Sequence, residues 1–147
     1  MTKRLQQDLR NGKKAELQVK PILQELFGKL KSTDIYNDKE NFDFYNKSYF
    51  IEHKNRPTTK FGRYDSLFFD KVKYNRYLSL KKENPKLRFF IVWSCKDDRY
   101  MWEFTEDTKE FYEQVNCFDR GRGGVEATKM IHVKNEYISP FSDFYTE

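Results

Sequence analysis

Residues 41–54, NFDFYNKSYFIEHK, constrain the fold more than any other stretch of the chain. Aromatic residues dominate two short runs on either side of the polar pair Asn46-Lys47, which is the pattern of a β-hairpin and its turn. A turn at that pair sets Asp43 opposite Phe50 and Asn41 opposite Glu52. Side chains alternate along a strand, so Asp43, Glu52 and Lys54 project to one side of the sheet. Phe42, Phe44, Ile51 and His53 project to the other. The hairpin therefore gathers two carboxylates and an ammonium on one face.

Helical spacing precedes the hairpin. Ala15, Val19, Ile22, Leu23, Leu26, Phe27 and Leu30 recur on one face of residues 15–30, Gly28 is a stop signal, and Pro21 is expected to kink that helix or to start its second half. After the hairpin, Tyr64, Leu67, Phe68, Val72, Asn75 and Leu78 suggest a second helix capped by Asp65 or Ser66 and ended by Pro85. Residues 87–93, LRFFIVW, read as a buried strand, with residues 100–104 as its antiparallel neighbour. Thr105-Glu106-Asp107 is expected to open a short helix to Val115, residues 119–126 have no periodicity, and residues 130–133 resemble a closing strand. The order of elements predicts an α/β fold with a mixed central sheet flanked by helices.

The 147 residues fit one domain, 1–147, with no linker or repeat to divide them. Aromatic residues are 18% of the chain, which excludes a disordered polypeptide. No run approaches a membrane span, and the polar start MTKR lacks the apolar segment of a signal peptide, so a soluble intracellular protein is expected. The net charge of +5 permits an anionic partner without requiring one. Cys95 and Cys117 lack zinc-site spacing and are expected to be reduced, buried thiols.

Mg²⁺ prefers one or two carboxylates together with waters and phosphate oxygens, and Asp43 and Glu52 meet that description. The main-chain carbonyl of His53 is a further candidate ligand. Lys54 would then act on a metal-bound water and on the phosphate of a phosphodiester. The competing reading of the same residues is a surface hairpin with a Glu52–Lys54 salt bridge, which contributes little. His53 and His132 lack a nucleophile context, and His53 is assigned to packing or hydrogen bonding on the opposite sheet face. Lys60, Arg63, Lys71, Lys73, Arg76, Lys81 and Lys82 crowd the loop and second helix, where solvated charges are the ordinary explanation. The rings are more often core than platforms for unpaired bases.

Asp43, eight intervening residues, then Glu52-His53-Lys54 resembles the D…ExK core of the PD-(D/E)XK nuclease superfamily. Phe42 stands where many members have Pro, and His53 fills the variable place. The resemblance implies a restriction-endonuclease-like core, with Glu16 on the preceding helix as an additional acidic metal ligand; an exposed helix glutamate is the alternative. Further downstream, Lys54-Asn55-Arg56, Tyr64, Lys71, Trp93-Ser94-Cys95-Lys96-Asp97, Asp119-Arg120-Gly121-Arg122, Glu126 and Ile131-His132-Val133 are similar to small phage and viral endonucleases of that superfamily, some of which resolve branched DNA such as Holliday junctions.

The expectation is a Mg²⁺- or Mn²⁺-dependent endodeoxyribonuclease that hydrolyses duplex or branched DNA through an activated water. Its catalytic residues would be Asp43, Glu52, Lys54 and Glu16. Asp43, Glu52, Glu16 and the His53 carbonyl would hold the ion, and Arg56, Lys71, Arg120 and Arg122 would contact nucleic acid. Arg120 and Arg122, on a Gly-rich backbone, suit bidentate phosphate contacts. Cleavage of two strands would favour a homodimer. The alternative is a nucleic-acid-binding module on the same fold that does not cleave. A structural interaction protein is a third reading.

Overall fold

A computed structural model describes residues 3–33, 41–119 and 124–144. Helix α1 (Lys3–Phe27) leads into β1 (Lys31–Ser32), β2 (Phe44–Tyr45) and β3 (Tyr49–Arg56). Then come β4 (Ser66–Asp70), α2 (Lys71–Glu83), β5 (Arg88–Cys95), β6 (Arg99–Glu103), β7 (Phe111–Asp119), β8 (Val125–Lys134) and β9 (Ser139–Pro140), with 3-10 turns at Asn135–Tyr137 and Phe141–Phe144.

Pro21 does not interrupt α1, which starts well before the expected residue 15. A proline inside a helix forfeits its bond to the carbonyl four residues earlier, here that of Leu17. Leu17 is 65% exposed and Pro21 is exposed, so the orphaned carbonyl lies on the face open to water. Gly28 ends the helix at a φ of 83°, and its N–H bonds to the Gln24 carbonyl at 3.0 Å.

A mixed sheet in the order β1-β2-β3-β5-β6-β9 forms the centre, and only the β3/β5 pair is parallel. On one face α1 packs Val19 and Leu23 against Phe44, Ile51, Phe90 and Val92. On the other, Phe89, Ile91, Trp93 and Trp102 meet Tyr74 and Tyr77 of α2 together with Leu67, Phe69, Ile131 and Val133. The last four belong to a second, antiparallel sheet in the order β4-β8-β7. The molecule is thus a mixed α/β fold, with one helix below the central sheet and a helix plus a small sheet above it.

That small sheet corrects two expectations. Ser66–Asp70 is a strand, so α2 starts at Lys71 with Asp70 at its N-cap. Leu67, Phe68 and Phe69 align with Val133, His132 and Ile131, distant partners invisible to a local pattern. The expected helix face fails with its start: Val72 is 49% exposed, and Lys73, Tyr74 and Tyr77 are the buried residues. Residues 105–110 make turns, in which Asp107 N–H bonds Thr105 Oγ1 and Lys109 N–H bonds Asp107 Oδ1, both at 3.2 Å. The side chains that could cap a helix are spent on these turns, and β7 follows.

The thiols are free, but Cys95 is half-buried and Cys117 exposed, because one ends β5 at a turn and the other lies on the open ribbon of β7 and β8. Among the described residues no helix is long and apolar enough to cross a membrane.

Candidate functional site

The hairpin turns one residue later than its sequence suggests. Asn46 N–H bonds to the Tyr49 carbonyl at 2.9 Å, and Asn46 Oδ1 accepts from Ser48 N–H at 2.9 Å and Tyr49 N–H at 2.8 Å. The side chain of Asn46 thus shapes the turn itself. Phe44 pairs with Ile51 and Tyr45 with Phe50, and the next step of that register sets Asp43 level with Glu52 instead of Phe50. A one-residue shift of the turn moves the register by two, so each side chain keeps its face. Phe42 is the exception. It precedes β2 and packs with Phe89 and Phe104 in the upper core, away from Phe44 and Ile51.

Asp43 is 7% exposed, and its Oδ2 accepts the His53 N–H at 2.8 Å. The N–H and C=O of one strand residue point to the same edge, so the His53 carbonyl is directed to the edge where Asp43 stands. The His53 ring lies on the opposite face beside Val92, where Nε2 and Ser94 Oγ share a 2.8 Å hydrogen bond. Burial, aided by the charges of Arg99, Lys54 and Arg56, pushes His53 down to about 3, so the ring is a neutral packing group.

Glu16 shares the buried face of α1 with Val19 and Leu23, at helical spacing. Burial holds the Glu16 carboxyl above the ordinary glutamate range, with the Asp43 side chain and Lys13 pulling it back. Burial and the neighbouring Glu16 charge raise Asp43 to about 6. Burial and the Asp43 charge raise Glu52 to about 8, against the pull of Lys54 and Lys73. At neutral pH the cluster therefore retains protons that isolated carboxyls would lose. Glu16 Oε2 and Glu52 Oε1 are buried and make no hydrogen bond.

Lys54 Nζ lies 3.5 Å from Glu52 Oε2 and 3.6 Å from Asp70 Oδ2. Burial pushes this ammonium down, but Glu52, Asp70 and Asp43 more than offset it, and Lys54 titrates above the ordinary lysine. Two residues of the cluster escaped the sequence reading. Lys73, which its sequence context groups with solvated helix charges, is buried, lies 3.6 Å from Glu52 Oε1 and donates to the Asn41 carbonyl. Asp70, inside the expected helix by its spacing, is instead the last residue of β4, beside Lys54. Knowing that α2 begins at Lys71 would have turned Lys73 inward with Tyr74 and Tyr77; no signal local to residues 64–78 supplied that start.

Two of the expected nucleic-acid contacts, Arg56 and Lys71, lie among the described residues. The Arg56 guanidinium stands 5.6 Å from the Phe68 ring centre, while Lys71 bonds Glu113 of β7 at 2.5 Å. Arg120 and Arg122 lie outside the described residues.

Among the described residues no three His, Cys, Asp or Glu side chains are arranged to hold a metal by themselves. The donor set nevertheless suits a hard cation that keeps water and phosphate ligands, since Asp43, Glu52 and Glu16 offer only oxygen and two of their buried oxygens lack a hydrogen bond. Fold and site together define a mixed α/β protein with a buried carboxylate–lysine cluster beside its parallel strand pair. Compared with known proteins, the chain matches no family model, no curated protein and no solved structure.

Proposed function

We propose that the chain is a divalent-metal-dependent endonuclease that hydrolyses DNA phosphodiester bonds, a member of the PD-(D/E)XK nuclease superfamily. The observation that carries this reading is the burial of three carboxyls, Glu16, Asp43 and Glu52, each at most 7% exposed, with the ammonium of Lys54 3.5 Å from Glu52. Burial of three carboxyls costs stability unless something repays it, and a cation with a polyanionic substrate is the natural recipient. The D…ExK spacing on adjacent strands and the net charge of +5 support DNA as that substrate.

Asp43, Glu52, Glu16 and the His53 carbonyl would hold Mg²⁺ or Mn²⁺. When bound, the ion supplies Lewis-acid polarisation of the phosphate and a lowered water pKa. Burial raises the pKa of both Asp43 and Glu16, so each would have to be ionised to serve as a ligand. Lys54 orients the attacking water and offsets charge on the phosphate. The attacking water gives a proton to solvent as its oxygen bonds phosphorus, the ester P–O bond breaks, and the leaving oxygen takes a proton from solvent; no covalent enzyme intermediate forms. Lys73 holds Glu52 and the Asn41 carbonyl, which keeps the two strand carboxylates level.

One observation favours a module that binds nucleic acid without cleaving it: Lys54 and Lys73 already stand against the two oxygens of Glu52, at 3.5 and 3.6 Å. The same experiment decides between the two. Duplex, single-stranded, flapped and four-way DNA and RNA are incubated with Mg²⁺ or Mn²⁺, beside an Asp43→Ala control. Metal-dependent DNA cleavage that disappears in the control is the expected result. Binding without cleavage of any substrate would establish the module, and activity surviving in the control would remove Asp43 from the site.

A further inference from the structure

The ribbon of β7 and β8 is bent back on itself. Phe118 pairs with Glu126, while Phe68 of β4 pairs with His132, six residues further along β8. On a flat strand six residues span about 20 Å. The Phe68 and Phe118 rings are nevertheless 5.8 Å apart, so the face carrying them is concave. Asn116, aligned with Thr128, likewise reaches His132 four residues away.

The concave face has a built interior. His132 accepts from the Ser66 hydroxyl at Nδ1, 2.8 Å away, and donates from Nε2 to Asn116 Oδ1 at 2.9 Å. Both ring nitrogens are fixed, and burial lowers the histidine's pKa, which favours the neutral imidazole. Tyr112 lies flat on that ring, with centres 5.1 Å apart and planes 7° from parallel, and stays 41% exposed. Phe68 is 5.2 Å from His132 and carries the Arg56 guanidinium at 5.6 Å. Phe68, Tyr112 and Phe118 belong to neither core of the molecule.

We propose that this concave face, with Tyr112 stacked on His132, Phe68 beside Phe118 and Arg56 over Phe68, is a stacking platform for unpaired bases of the DNA strand that enters the carboxylate site. The inference rests on the nuclease reading for the course of that strand. Continuity and charge identify the occupant. Arg56 is two residues beyond Lys54 on β3, and Phe68 is two residues before Asp70, the partner of Lys54 at 3.6 Å. The rings thus begin about 7 Å along each strand from the site. Every base has a π-face, and a guanidinium over a ring adds a cation for the phosphates. Lys134, aligned with Ser66, lines the same face, and so do the carboxylates Asp70, balanced by Lys54, and Glu126 near the far end. The fixed imidazole keeps Tyr112 flat before a base arrives, which lowers the ordering cost of binding. The substrate class is DNA with a single-stranded segment next to the cut: a single strand, a flap or a frayed branch.

Tyr112→Leu keeps apolar area and removes the ring; Phe118→Leu does the same at the far end. Anisotropy of labelled single-stranded, flapped and blunt duplex oligonucleotides, in Ca²⁺, reads binding without turnover. Loss of about tenfold on the first two, with duplex affinity held within about twofold, is the expected result for Tyr112→Leu. Quenching of a 2-aminopurine base in the single strand should fall in parallel. Unchanged single-strand affinity, or an equal loss on blunt duplex, would overturn the platform. If Asp43-dependent cleavage of duplex persists beside that negative result, the nuclease reading stands without the platform. Should ring-dependent binding appear while no substrate is cut with either metal, the platform stands and the nuclease reading fails.

Discussion

Glu52 sits between two ammonium groups, Lys54 at 3.5 Å and Lys73 at 3.6 Å, and is 3% exposed. Removing one partner of a buried charge leaves the other uncompensated, though a carboxyl already raised to about 8 can keep its proton and limit the loss. Lys73→Met should therefore cost about 1–3 kcal/mol in urea unfolding at neutral pH. Glu52→Gln in the same chain should recover most of that loss, because the pair is coupled. Strictly additive losses would mean that Lys73 is held by its Asn41 bond alone. The acids also set the sign of the pH dependence without divalent metal. Asp43 at about 6 and Glu52 at about 8 both lie above their ordinary 3.8 and 4.5, so the folded chain binds more protons than the unfolded one. This contribution to stability is complete below about pH 4 and is lost as pH rises through 6 and then 8. The melting temperature should fall across that window and flatten in Asp43→Asn/Glu52→Gln; a rise attributable to these groups would contradict their assignment.

At the scale of elements, the hairpin turn matters beyond its own strands. Asn46 Nδ2 donates to the carbonyls of Phe27 at 3.1 Å and Lys29 at 3.3 Å, so one side chain joins the turn to the end of the helix that carries Glu16. Asn46→Ala removes these bonds and the two to Oδ1, and should destabilise by about 1–3 kcal/mol in thermal or urea unfolding; a change within about 0.5 kcal/mol would show that the backbone alone sets the turn. The carboxylate set was legible in the sequence despite the wrong turn residue, since strand alternation puts Asp43, Glu52 and Lys54 on one face in either register. Glu16 was legible through resemblance, and its i, i+3, i+7 spacing with Val19 and Leu23 is the signal that sets it on the apolar face of α1. The strand β4 was not legible: Leu67-Phe68-Phe69 satisfies helical and strand spacing alike, and β8 decides. The burial of Lys73 went unseen for the same reason. Ahead of β7, Thr105 and Asp107 offered a cap that the folded chain uses in turns.

Across the whole molecule, the α/β class followed from the order of elements, while the second sheet and its curl depended on pairing between distant segments. That curl brings Phe118 of the ribbon onto Phe68, beside the strand ends that hold the acids. Basic groups that touch DNA backbone release counterions, and the slope of log affinity against log salt scales with the number of contacts. Simultaneous Arg120→Ala and Arg122→Ala, measured by anisotropy against salt in Ca²⁺, should flatten that slope by about 1 to 2 and weaken unrelated sequences equally. An unchanged slope would remove these arginines from the phosphate contacts.

Calorimetric titration of Mn²⁺ into the folded protein is the most direct test of the carboxylate cluster as a metal centre. Wild type should bind the ion with release of protons, because Asp43, Glu16 and Glu52 must ionise to become ligands. Asp43→Asn and Glu52→Gln, checked for retained fold by circular dichroism, should each abolish or severely weaken that binding, while Lys54→Ala should retain it. Equal Mn²⁺ binding by wild type and both carboxylate variants, or none by the wild type with DNA present, would contradict the account.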